Sequence, residues 1–218
     1  MIVEFIGNSG SGKTTIIKRF IADNPNFPVF FCDEWWYSKK KRAYPALIPY
    51  LFRFRLLRLL RIAVAVLRKK KVEKRRKLRQ LRHLAFHYVI ATKALKESKK
   101  GKIVFLSESF ATLIPNLFKG ERPDLEARFI SFLGVLKERD SFILVQNDLD
   151  EIIRCRTLRN APNDRGDLRE RVLEQRERLE KYISDSGLTD RIILLEYHYN
   201  EDSLAGASLF LSGLFTNE

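Results

Sequence analysis

The chain has 218 residues, 45% of them hydrophobic, and carries 41 Lys and Arg against 27 Asp and Glu for a formal charge of +14. That length and apolar content suit one α/β domain with a sizeable core and exclude a disordered or fibrous chain. Its two cysteines, Cys32 and Cys155, stand far apart and form no CxxC pair, which excludes a disulfide framework or structural zinc site and points to a reducing, cytoplasmic compartment.

Met1 to Ile6 is a short apolar run that reads as a buried strand; it lacks the basic start and cleavage site of a secretory signal. Directly after it stands Gly7-Asn8-Ser9-Gly10-Ser11-Gly12-Lys13-Thr14, a complete GxxxxGK[ST] pattern, and then a helical stretch from Thr15 to Ile21. Strand, glycine-rich loop and helix in that order make a phosphate cradle. The glycines let the backbone curl so that successive N–H groups face phosphate oxygens, and the helix N-terminus adds a dipole that favours anions. Lys13 is expected to reach the β and γ phosphates of ATP and Thr14 to hold Mg²⁺ through its hydroxyl. Thr15 follows as the last candidate for nucleotide binding, with capping or packing as its other reading.

A second strand, Pro28 to Phe31, ends in Cys32-Asp33-Glu34-Trp35-Trp36. Parallel topology places such strand ends beside the phosphate loop, where a carboxylate can accept the proton of an acceptor hydroxyl. Asp33 and Glu34 are both candidates. Trp35 and Trp36 can line an acceptor pocket or fill core, and Cys32 reads as a small buried hydrophobe.

Residues 38–102 form a helical insertion with 23 Lys and Arg against only Glu73 and Glu97, a charge of +21 that leaves −7 for the rest. A helix beginning near Pro49 puts Phe52, Leu56, Leu59, Leu60, Ala63, Val66 and Leu67 on one face and Arg55, Arg58, Arg61 and Arg68 on the other. After KKKVEKRRK, an apolar stripe restarts at Leu78, Leu81, Leu84, Ala85, Tyr88 and Ala91, so two antiparallel helices are predicted. Residues 46–67 are apolar enough to suggest a membrane span, but Arg53, Arg55, Arg58 and Arg61 argue against one. The cationic faces are either solvated or a surface for phosphates, anionic lipid or nucleic acid; the interleaved Phe52, Phe54, Phe86 and Tyr88 fit core packing equally well.

The third strand, Ile103 to Leu106, runs into Ser107-Glu108-Ser109, and Glu108 is placed to support Mg²⁺ or the acceptor, or to cap a helix. The fourth, Phe142 to Val145, is followed by no [NT]KxD motif, so guanine specificity has no support. Residues 150–168 then read as a mobile lid whose arginines, Arg156, Arg159 and Arg165 foremost, stabilise charge on a transferring phosphoryl group; Arg154 reads as structural. On the charged helix Leu168 to Ser184, Arg169, Arg171, Arg176 and Arg178 are expected to pair with nearby glutamates. Ile192 to Leu195 is the fifth strand. Strands alternating with helices predict a doubly wound, five-stranded parallel sheet, and with no repeat or linker the whole of 1–218 reads as one domain.

GNSGSGKT, DEWW, LSES and RCRTLRNAPNDRGD, in that order, resemble the thymidylate kinase and deoxynucleoside kinase group of P-loop kinases over nearly all the chain except about 38–100. The resemblance implies an ATP- and Mg²⁺-dependent phosphotransferase with Lys13, Thr14 and the loop amides on the triphosphate, an acceptor carboxylate at Glu34 beside Asp33, a metal- or acceptor-side acid at Glu108, and lid arginines at Arg156, Arg159 and Arg165. A nucleoside or nucleotide is the first acceptor to expect, but Ser109 stands where that group has an arginine and the insertion replaces its acceptor-pocket and dimer region, so the identity of the acceptor does not carry over from thymidine or thymidylate and homodimerisation is open. A sugar or lipid-linked saccharide met at the inner membrane face is the second reading. An ATP-dependent nucleic-acid-binding or regulatory protein is the third.

Overall fold

A computed structural model describes residues 1–39, 63–64, 66–68, 74–107, 141–158, 167–185 and 191–216. Five strands, β1 (Ile2–Ile6), β2 (Val29–Phe31), β3 (Ile103–Leu106), β4 (Ser141–Gln146) and β5 (Ile192–Glu196), form one parallel sheet in the order β2-β3-β1-β4-β5. β1 lies at the centre, with Ile2 facing Val104 on β3 and Glu4 facing Phe142 on β4. Every residue of β1 is buried, as a strand with helices on both faces requires.

Alternate side chains of β1 divide between two cores. Val3 and Phe5 join Ile16, Ile17 and Phe20 of α1 (Lys13–Asp23) and Ala207 and Leu211 of α6 (Glu201–Thr216). On this face Phe5, Phe20 and Phe105 meet edge to face at 5.4–5.5 Å, each contact adding to simple area burial. Ile2 and Ile6 point the other way, into a core with Leu84, Tyr88, Ile90 and Ala94 of α3 (Lys74–Ser98) and Leu179 and Ile183 of α5 (Leu168–Asp185). Two short helices complete the description, α2 (Cys32–Lys39) directly after β2 and α4 (Leu149–Leu158) after β4. Asp148 starts α4 by accepting the backbone N–H of Asp150 at 2.8 Å.

α3 runs antiparallel to β3. Its C-terminal Ser98 accepts a hydrogen bond from the Met1 amino group at 3.1 Å, which fixes that end at the edge where the strands begin. The helix N-terminus therefore points toward the edge where they finish. Twenty-five residues make α3 about 37 Å long, whereas the four of β3 span about 13 Å, so its first turns run past the sheet. Burial agrees: among the described side chains of α3, buried positions begin at Leu84.

Two expectations for the insertion need correction. Leu78 is 57% exposed and Leu67 50% exposed, so neither belongs to the buried stripe, which holds Val66 and Leu84 and has Ala63 and Leu81 partly buried against it. The reason is length, because these leucines sit beyond the sheet that would cover them. The predicted helix over residues 49–62, and with it most of the rejected span over 46–67, lies outside the described residues. Among those described, no helix is long and apolar enough to cross a membrane.

Candidate functional site

The loop between β1 and α1 takes the curled form that its glycines permit. Gly7, Gly10 and Gly12 have φ of 148°, 91° and 91°, in the region that side chains rarely adopt. Space is closed to a side chain as well as conformation. A Cβ on Gly7 would stand 2.7 Å from the Val145 carbonyl oxygen, and one on Gly12 would stand 2.3 Å from Cε1 of Tyr197. The Ser11 N–H donates to the Asn8 carbonyl at 3.1 Å, and helix α1 begins at Lys13 itself. Asn8 and Ser11 are buried, while Ser9, Thr14 and Thr15 are exposed at the mouth.

Lys13 folds into this curl. Its ammonium donates to the carbonyls of Gly7 at 2.9 Å and Asn8 at 2.7 Å, and to the Ser11 hydroxyl at 3.4 Å. These are oxygen acceptors in the arc that the loop surrounds. A polyanion entering there meets a cation and a helix N-terminus together.

Beside the loop, three strand and helix ends converge. Asp33, the second residue of α2, is 3% exposed, and its Oδ2 accepts both the Ser107 N–H at 2.9 Å and the Ser107 hydroxyl. Because the Ser107 hydrogen is committed to Asp33, the 3.3 Å contact between Thr14 Oγ1 and Ser107 Oγ has Thr14 as donor. A carboxylate at the end of β2, a hydroxyl at the end of β3 and a hydroxyl at the start of α1 are thus coupled across sequence separations of 74 and 93. Hard oxygen groups of this kind suit Mg²⁺, which keeps most of its waters and needs only one or two protein groups beside substrate phosphates. Among the described residues, no group of three or more His, Cys, Asp or Glu could hold a metal by itself.

Glu34 is exposed at the first turn of α2. Asp33 and Glu34 therefore face different surroundings: one is built into the hydroxyl network and the other faces solvent. Cys32 is wholly buried, and that burial, with Asp33 adjacent, pushes its thiol well above the ordinary range; it and Cys155 are both free. Trp35 is half-buried with its ring 6.4 Å from that of Phe30 and the Lys93 ammonium 5.2 Å above it. Trp36 lies outside the described side chains.

Glu108, Arg159 and Arg165 fall outside the described residues, as does Ser109. Arg156 does not sit on a loop: residues 149–158 are the helix α4, so the first half of the expected lid is regular structure. Its Cγ lies 3.2 Å from where a Cβ on Gly10 would be, and its guanidinium donates to Gln175 Oε1 of α5 at 3.2 Å. Arg154 is exposed on α4. On α5, Arg176 pairs with Glu180 at 3.1 Å and Arg178 with Glu174 at 2.6 Å, as the spacing predicts, but Arg169 reaches instead across to Asp150 of α4 at 2.7 Å.

Three features were not singled out from sequence. Ser107 joins Asp33 to Thr14, and the signal was its place at a strand end immediately before Glu108. Tyr197, 3% exposed just past β5, packs its ring on Gly12 and meets Tyr199 at 5.1 Å; burial raises its phenol pKa. The third is Asn147, just past β4 and 9% exposed, whose carboxamide oxygen and nitrogen have no hydrogen-bond partner among the described residues. It lines a small open cleft shared with Gly7, Asn8, Ile152, Arg176 and Leu179. A buried amide without a partner is costly unless something meets it.

No protein-family model and no curated protein sequence matches the chain. Among solved structures it is similar to deoxyadenosine kinase from M. mycoides with bound dCTP, at 13% identity over 99% of this chain and 100% of that one with a TM-score of 0.50. The same enzyme with dCMP and dCDP bound gives 11% identity over 100% of both chains and a TM-score of 0.50. At such identities the likeness is one of fold, and with the strand order it establishes a P-loop, nucleotide-kinase-like α/β fold for this chain.

Proposed function

We propose that the protein is a Mg²⁺-dependent kinase that transfers the γ-phosphoryl group of ATP to a small acceptor, with a nucleoside or nucleotide as the first class to test. The observation that carries this reading is the hydrogen-bonded chain Thr14–Ser107–Asp33 beside a loop whose lysine is already turned inward. A phosphate loop alone serves motors, transporters and switches equally. A buried carboxylate coupled through a serine to the metal-side threonine adds what phosphoryl transfer needs, a rigid anionic wall next to the triphosphate.

In this reading the loop amides and Lys13 bind the triphosphate, phosphate oxygens replacing the carbonyls that Lys13 now contacts. Mg²⁺, when bound, neutralises charge on the phosphates. Thr14 and, through Ser107, Asp33 hold the metal side, with Glu108 contributing from the same strand end. Glu34, facing solvent one residue further on, takes the proton from the acceptor hydroxyl. Arg156, anchored by Gln175 against the loop, supplies positive charge near the transferring group, and Arg159 and Arg165 are the further candidates that the sequence offers for the same role. Asn147 offers an amide to a polar group of the acceptor, in a cleft bounded by Asn8 and Arg176.

The test is a phosphorylation assay with Mg²⁺-ATP against a panel of nucleosides, nucleotides and sugars. ATP turnover should rise sharply with one acceptor class and disappear in Lys13→Ala. If the whole panel left only slow, acceptor-independent hydrolysis, the kinase reading would be wrong.

A further inference from the structure

The tip of the basic insertion exposes more than charge. Val64 and Leu67, on the described helical stretch that precedes α3, are 42% and 50% exposed, and Leu78 on α3 is 57% exposed. The two segments lie side by side here, because the Lys77 ammonium donates to the Leu67 carbonyl at 2.8 Å. Around these apolar side chains the exposed surface includes Arg68, Lys74, Arg75, Arg79 and Arg82. Between Arg68 and Arg82 the sequence has ten Lys and Arg against one acid, Glu73.

A solvated cationic face has no use for exposed leucines, and a polynucleotide surface interleaves its cations with exposed aromatic rings on which bases stack. The two aromatic residues of α3, Phe86 and Tyr88, lie on the core side: Tyr88 is 1% exposed and Phe86 packs against the buried cluster. Aliphatic side chains ringed by Lys and Arg have instead the chemistry of an interface between anionic headgroups and acyl chains. Position reinforces this. The tip projects from the sheet edge where the strands finish, which is also where the loop after β1 and Asp33 after β2 stand.

We infer that the described residues 63–64 and 66–68, with the first turns of α3, dock on an anionic lipid bilayer, inserting Leu67 and Leu78 between headgroups and turning the phosphate-loop edge toward the membrane surface. This goes beyond the kinase reading and does not depend on it, since docking is read without ATP or acceptor.

The experiment is co-sedimentation of the full chain with vesicles of one part phosphatidylglycerol to two parts phosphatidylcholine, with pure phosphatidylcholine vesicles as control. Binding is expected to the anionic vesicles only. Arg75→Glu/Arg79→Glu should lower it more than tenfold, and Leu67→Ser/Leu78→Ser about tenfold, with a residual that salt removes more easily than in the parent. All four positions are exposed, so unfolding temperatures should stay within a degree or two of the parent and separate docking from folding. Absence of binding to anionic vesicles at low salt would overturn the inference. So would a leucine pair variant that binds them as well as the parent, or salt-sensitive binding to single-stranded RNA stronger than to the vesicles.

Discussion

Gly12→Ala tests the phosphate loop at its tightest point. A methyl group there would stand 2.3 Å and 2.6 Å from Cε1 and Cδ1 of Tyr197, and the backbone has φ of 91°. Two separate costs follow. Left-handed backbone disfavours alanine by about 1–2 kcal/mol, and forcing a methyl into a packed site costs about 1–3 kcal/mol more. The variant should therefore lose about 2–5 kcal/mol, a large share of what holds a domain of this size together. Tyr197→Val removes the ring and by itself costs about 2–4 kcal/mol through the space it leaves. Combined, the two changes should be less damaging than their sum by about 1–3 kcal/mol, because the steric part of the Gly12 cost vanishes with the ring while the backbone part stays. Urea denaturation of the four proteins gives that coupling energy, and binding of a fluorescent ATP analogue reports whether the loop recovers. Additivity within about 0.5 kcal/mol would refute the packing of Tyr197 on Gly12.

Other expectations follow from the same geometry. Lys13→Ala should abolish acceptor phosphorylation and affect the unfolding temperature far less, its ammonium donating to the Gly7 and Asn8 carbonyls of the loop; a transfer assay beside a thermal melt reads both. Asp33→Ala should cost about 1–3 kcal/mol by stranding the Ser107 N–H and hydroxyl, and it should weaken Mg²⁺ dependence of activity, whereas Glu34→Gln should lower kcat without moving stability. Asn147→Leu should raise the acceptor KM while leaving the protein as stable or more so, because a buried amide without a partner among the described residues is removed. Glu97, 2% exposed, is held by Lys93, Lys100 and Lys102 at 2.7–3.0 Å, and these contacts, the Lys93 hydrogen bond foremost, depress its carboxyl to about 2 from an ordinary 4.5. A folded-state value below the unfolded one stabilises the fold above pH 4.5, and the contribution fades as pH falls toward 2. Its ceiling is about 3 kcal/mol, reduced by solvent around the half-exposed Lys100 and Lys102. Glu97→Gln should flatten the acid limb of a stability-against-pH curve in that window, and an unchanged limb would contradict the assignment.

Much of this architecture is legible in residue pattern because a strand buried on both faces leaves a strong mark. Five short apolar runs, Ile103 to Leu106 for instance, coincide with the strands to within a residue or two. The loop was legible for another reason: glycines at 7, 10 and 12 answer to positive φ, and at 7 and 12 also to neighbours that leave no room for a Cβ. What sequence did not show was who meets whom across long separations. Ser107 looked like a strand terminus, and only the adjacency of β2 and β3 brings it to Asp33. Tyr197 lies just past the end of β5, and nothing in its sequence neighbourhood marks that its ring packs on Gly12 of the loop. Helical periodicity also misled at Leu67 and Leu78. Spacing tells which side chains share a face, but burial of that face depends on whether anything lies opposite it, and α3 outruns the sheet.

The segregation of charge separates two tasks that a uniformly basic protein would confuse. The body that carries the phosphate loop has a formal charge of −7, and the insertion has +21. A polyanion can still bind to the body because its partners are local: oriented amides, one inward lysine and a helix terminus, all within contact distance and little screened. The insertion attracts by a summed field, which salt weakens steeply over about 8–10 Å. Raising the salt from low to physiological and beyond should therefore shift ATP affinity only modestly and vesicle binding by orders of magnitude. Two titrations on one preparation read this. Equal salt slopes would mean that the insertion's field reaches the nucleotide, and that the stalk and the loop act as one electrostatic site.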